Sequence, residues 1–144
     1  MIEYYLSQIF QVTELVKHVS TEPVLLRGLL GDLAEWFAHS KRWNQRQTFA
    51  LLCSQLVTKC VLSEELFACD VLPHLLDLSW DSVPNVRLSV ARTVATNIMA
   101  QGEELSVLHC ILLLTIHMLI VEEVRNIKCS AVLLQFLPQF KVYT

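Results

Sequence analysis

The stretch "SWDSVPNVRLSVARTV", Ser79 to Val94, decides the fold. Trp80, Asp81 and Ser82 form a polar break, and Pro84 stands where a new helix tolerates proline because the first turn has no use for its missing N–H. Counting onward from Arg87, Ala91, Val94 and Ile98 fall four, seven and eleven residues later, one face of a helix. The stretch therefore reads as a turn feeding an amphipathic helix, with an acid and an arginine flanking the junction.

Working outward, the same punctuation recurs. A first helix is expected near Ile2 to Val19, stopped by "STEP", where Ser20 or Thr21 can cap the next helix and Pro23 can fill its first turn. That second helix runs to about His39. "SKRW" turns the chain into a third, near Trp43 to Cys60, and Ser63 with Glu65 and Leu66 opens a fourth that ends at about Ser79. After the fifth, Pro84 to about Ala100, Gly102 precedes a sixth near Glu103 to Val121 and a seventh near Glu122 to Phe136.

Arg46, Arg87 and Arg125 lie 41 and 38 residues apart, and each is followed at plus four by a small residue, Ala50, Ala91 and Cys129. At plus seven come Cys53, Val94 and Val132, and at plus eleven Val57, Ile98 and Phe136. One helix face repeated at this interval is the signature of stacked helix pairs, which bury their apolar faces only against the next pair. The expected architecture is all-α, an α-solenoid of about three repeats within a single domain covering residues 1–144. The repeats fall at about 23–60 and 63–100, with a degenerate one at about 103–137, and the chain reads as a fragment or short form of a longer solenoid.

Composition agrees. The 144 residues are 53% hydrophobic with three glycines, which favours long helices over a turn-rich β fold. A formal charge of −3 argues against nucleic acid or anionic lipid as the principal partner. The five cysteines, Cys53, Cys60, Cys69, Cys110 and Cys129, contain no Cys-x-x-Cys and lie in apolar helical patterns; they read as reduced core residues of a cytoplasmic or nuclear protein. The uncharged run Leu105 to Val121 is short for a spanning helix and has acidic flanks, so a helix buried between neighbours is the better reading.

"VLPHLLDLSWDSVPNVRLSVARTV" resembles the HEAT repeats, whose second helix opens with an Asp-containing turn and a Val-Arg pair. With "KRWNQRQTFALLCSQLV", it looks most like the HEAT regulatory and scaffold subunits of the protein phosphatase 2A-like enzymes, those of the protein phosphatase 4 type in particular. The likeness covers about Ala38 to Ile98. "MLIVEEVR" departs from the pattern, keeping Val124 and Arg125 without an aspartate in the preceding turn.

The resemblance implies a non-catalytic subunit, a monomer within a hetero-oligomer, that binds a Ser/Thr phosphatase catalytic subunit and other proteins. It also implies that Arg46, Asp81, Arg87 and Arg125 stack one repeat on the next. Scaffolds of this class grip the catalytic subunit with the turns inside each repeat, which makes Trp43, Trp80, Asp81, Pro84 and Asn85 the partner-binding candidates. Packing of both indoles between repeats is the competing reading. A HEAT adaptor for unrelated partners, or a membrane-associated helical protein using 105–121, are the alternatives.

Nothing in the residues calls for a cofactor. His74, Asp77 and Ser79 lie close together but lack a strained nucleophile turn or an oxyanion site. Cys60, Cys69 and His74 are irregularly spaced for a metal, and His109 and His117 are out of the register of a helical zinc pair. "SKRWNQR" can in principle stack on a base, but one basic turn in an acidic chain makes a better protein contact than a nucleic-acid one.

Overall fold

A computed structural model describes residues 2–98. The expected features that lie beyond them, Arg125, the degenerate repeat, the apolar run 105–121, Cys110, Cys129, His109 and His117, are outside the described residues. The chain divides into two compact units, Met1–Val90 and Ala91–Thr144. Among the described residues the structure is helical and contains no strand, as the sequence pattern requires.

Among the described residues six α-helices follow in order: α1 Ile2–Val19, α2 Pro23–Leu33, α3 Trp43–Thr58, α4 Glu64–Leu66, α5 Leu72–Asp77 and α6 Pro84–Thr93. Wider π-helical turns prolong or join them at Ala34–Ala38, Phe67–Val71 and Val94–Ile98, and a 3-10 turn, Leu78–Trp80, closes α5. The π turn at Phe67–Val71 has a local cause. Pro73 has no N–H to donate, and its ring would crowd the carbonyl four residues back; widening the preceding turn relieves that clash without ending the rod.

Helix ends are set by local chemistry. Ser63 accepts the backbone N–H of Leu66 at 3.3 Å and so starts α4. The start of α2 differs from expectation: its N-cap is Glu22, without a side-chain cap. Ser20 turns back instead, its hydroxyl donating to the Lys17 carbonyl at 2.6 Å, and thereby closes α1. At the end of α3, Cys60 N–H donates to Val57 O at 3.0 Å and Val61 N–H to Leu56 O at 3.1 Å. This paired closure needs a left-handed residue, and Cys60 takes it with φ of 50°.

The core of the first unit follows the helical period. Ile9, Thr13 and Val16 line one face of α1, and Thr13 satisfies its buried hydroxyl on the Ile9 carbonyl at 2.7 Å. Leu26, Leu30 and Leu33 of α2 and Phe49, Leu52, Cys53 and Leu56 of α3 complete the first layer, in which α1 packs on both α2 and α3. Phe67, Val71, Leu72 and Leu75 carry the core onward, α5 resting on α3. Leu75 is fully buried, a placement that contributes about 2–3 kcal/mol.

Of the positions that repeat after Arg46 and Arg87, all but half-buried Val57 are interior. Ala50 and Cys53 are 0% exposed, and Ala91, Val94 and Ile98 are buried. A small residue four places after the arginine leaves room for a neighbouring helix to approach. The cysteines require a correction: Cys53 is buried, whereas Cys60 and Cys69 are exposed. Cys60 sits at a helix terminus and Cys69 on the outer side of the π turn, so periodicity assigned them to a core that neither reaches. Burial pushes the Cys53 thiol well above its ordinary pKa.

Candidate partner-binding ridge

The first turn of α3 carries the residue that organises the site. Arg46 projects its guanidinium between two chain reversals, the one that links α2 to α3 and the one that precedes α6. Its Nε donates to Asp81 Oδ2 at 2.5 Å and its Nη2 to Asp81 Oδ1 at 3.0 Å, a two-pronged contact. Its Nη1 donates to the carbonyls of Ser40 at 2.9 Å and Lys41 at 3.0 Å. One planar cation thus holds both turns at once, which a lysine's single ammonium could not reproduce.

Asp81 is equally committed. Its Oδ1 accepts the Val83 N–H at 2.8 Å, shaping the turn so that Pro84 can begin α6. Its own carbonyl accepts from Arg87 Nη1 at 2.7 Å. Burial by itself would raise the Asp81 carboxyl, but the hydrogen bonds from Arg46 and Val83 and the charges of Arg46 and Arg87 outweigh it and hold the group below the usual carboxylate range. The hydrogen bond to Asp81 raises the Arg46 pKa in turn.

Arg87 is 6% exposed and lies within the structure rather than on it. A second polar tie lies nearby, from Gln47 Nε2 to Ser89 Oγ at 3.0 Å, with Ser89 Oγ donating to the Asn85 carbonyl at 3.0 Å. Asn44 reaches Tyr5 Oη at 3.0 Å, tying α1 to the same end of α3. Ser40 donates to Gln45 Oε1 and accepts the Arg42 N–H at 3.2 Å, which braces the "SKRW" turn from inside.

These bonds sort the residues selected from the sequence. The Asp81 side chain is only 5% exposed, with both carboxylate oxygens occupied. Trp43 is 45% and Trp80 59% exposed, and Pro84 and Asn85 are exposed as well. Both indoles therefore offer much of their surface to solvent from backbone that the arginine–aspartate bonds hold in place.

Other groups considered from the sequence part company. His74 meets His39, Nε2 of the latter lying 3.1 Å from Nδ1 of the former, and Ser79 is buried. Sequence reasoning missed this histidine pair. The signal available was its separation, 35 residues, the same as that of Arg46 and Asp81. Exposed Trp36, 60% accessible, was also passed over. Among the described residues no group of three or more His, Cys, Asp or Glu side chains is placed to hold a metal ion. None of the described helices is long and apolar enough to cross a membrane.

Against known proteins, 101 residues of the chain are 34% identical to serine/threonine-protein phosphatase 4 regulatory subunit 1 of Homo sapiens, and the same identity and length hold for the proteins of that name from Mus musculus and Rattus norvegicus. The match covers 69% of this chain and 11% of each relative, so it spans about a ninth of the length of these proteins. No protein-family pattern and no solved structure matches the chain.

Proposed function

We propose that this chain is a non-catalytic regulatory and scaffolding element of a Ser/Thr protein phosphatase of the protein phosphatase 4 type, built as a HEAT solenoid over residues 1–144. The observation that carries the proposal is the 34% identity to a phosphatase 4 regulatory subunit, over a match that takes in 69% of the chain. The catalytic subunit docks on the ridge of turns, with Trp43, Trp80, Pro84 and Asn85 in contact and Asp81 with Arg46 and Arg87 holding the turns in position. The stacking of successive repeats sets the distance between bound enzyme and bound substrate. The protein works in the cytoplasm or the nucleus, as one copy within a hetero-oligomer.

Exposed aromatic side chains on constrained backbone support the assignment of the ridge, since little ordering entropy is lost when they are covered. The test is co-precipitation of the full chain with the phosphatase 4 catalytic subunit from cells. Recovery of that subunit, reduced by Trp43→Ala together with Trp80→Ala, is the expected result. Its absence while other proteins are recovered would transfer the chain to the class of HEAT adaptors for unrelated partners.

A further inference from the structure

Two exposed cations on the ridge, Lys41 and Arg42, form no ion pair among the described residues. Their backbone is pinned: the Lys41 carbonyl accepts from Arg46, the Arg42 N–H donates to Ser40, and the Arg42 carbonyl accepts the N–H groups of Gln45 and Arg46 at the start of α3. Trp43 follows directly, 45% exposed. The same guanidinium that holds this turn holds Asp81, the residue after exposed Trp80.

Among the described residues, no acidic side chain lies within ion-pair distance of Lys41 or Arg42. The Asp81 carboxylate, with Arg46 and Arg87 both bonded to its residue, leaves no negative surplus. In a chain whose formal charge is −3, a turn that offers two neighbouring cations beside an indole is a local inversion. Complementarity at an interface acts through such inversions, which steer encounter and fix register.

We propose that this ridge receives an acidic segment of a partner protein, its carboxylates meeting Lys41 and Arg42 and an apolar side chain between them covering Trp43. The proposal supplies the chemistry of the partner at the ridge described above; it rests on that ridge being a docking surface and not on which enzyme docks there. A nucleic acid fits less well. Two exposed cations neutralise about two phosphates, too few for useful affinity in an acidic chain.

The experiment titrates the purified full chain into a fluorescein-labelled peptide of alternating Glu and Leu and into the same peptide with Gln for each Glu, read by anisotropy. The acidic peptide binds; the Gln peptide binds about tenfold more weakly; Lys41→Glu with Arg42→Glu and, separately, Trp43→Ala each weaken the acidic peptide by about tenfold; and added NaCl weakens it further. Both variants keep the helical circular dichroism of the parent, because the changed side chains are at the surface. Equal binding of the two peptides, or unchanged binding by the charge-reversed chain, overturns the proposal, as does tighter binding of a random single-stranded oligonucleotide than of the acidic peptide. Purified phosphatase 4 catalytic subunit in parallel separates the two readings. Its equal capture by parent and charge-reversed chain removes this proposal and leaves the phosphatase reading standing; binding of the acidic peptide without capture does the reverse.

Discussion

Arg46 and Asp81 meet through two hydrogen bonds, at 2.5 and 3.0 Å, with side chains 16% and 5% exposed, and the pair joins turns that lie 35 residues apart in the chain. Breaking a pair of this burial strands one charge, at a cost of about 3 kcal/mol. Asp81→Asn and Arg46→Ala are each expected to lower stability by about that much in urea denaturation, and the double variant by much less than the sum. Additive losses would show that the two residues act separately.

Acid should loosen the same contact. The folded Asp81 carboxyl is a stronger acid than in the unfolded chain, so unfolding takes up a proton. The stabilisation is complete above the ordinary aspartate pKa, about 3.9, and is lost as pH falls through the lower folded value. Denaturation midpoints measured from neutral pH downward should fall less steeply for Asp81→Asn than for the parent; identical slopes would remove Asp81 from the acid response.

Trp43 is 45% and Trp80 59% exposed, and truncating either should leave stability within about 1 kcal/mol of the parent. Binding of the phosphatase catalytic subunit should fall by about 30-fold for the more central of the two. Loss of stability with unaltered binding would assign the indoles to packing.

Ala50 is 0% exposed on α3, four residues after Arg46. Ala50→Leu forces extra methyl groups into a closed contact and should destabilise by about 2 kcal/mol, whereas a leucine at exposed Gln11 should be nearly neutral. Thermal unfolding of the two variants provides the comparison.

Cys60 is the described non-glycine residue with positive φ, at the closure of α3. Cys60→Gly removes the clash of its Cβ while adding freedom to the unfolded chain, for a net gain of about 0.5 kcal/mol. In the native protein, alkylation followed by peptide mapping should label Cys60 and Cys69 quickly and Cys53 only after unfolding.

How much of this could be read in advance differs from residue to residue. Pro23, Pro84, Ser63 and the helical spacing of apolar residues placed the described helices nearly where they lie, because helix starts and apolar periods depend on neighbours a few positions away. Ser20 was misassigned as a cap because a hydroxyl between two helices can serve either one, and only the backbone path selects. Cys60 and Cys69 were misassigned because a periodic pattern does not mark where a helix leaves its neighbour.

The sequence by itself determined that residues 2–98 are helical, nearly where those helices begin, and that arginine and a small residue recur at a fixed interval. Tertiary structure alone decided that Arg46 reaches across to Asp81 while Arg87 turns to the Asp81 carbonyl, that His39 meets His74, and that the indoles of Trp43 and Trp80 face solvent. The division has one physical cause. Helix formation is written in contacts three and four residues apart, whereas the direction of a guanidinium, the burial of a thiol and the exposure of an indole are fixed by helices brought together from 35 or more positions away.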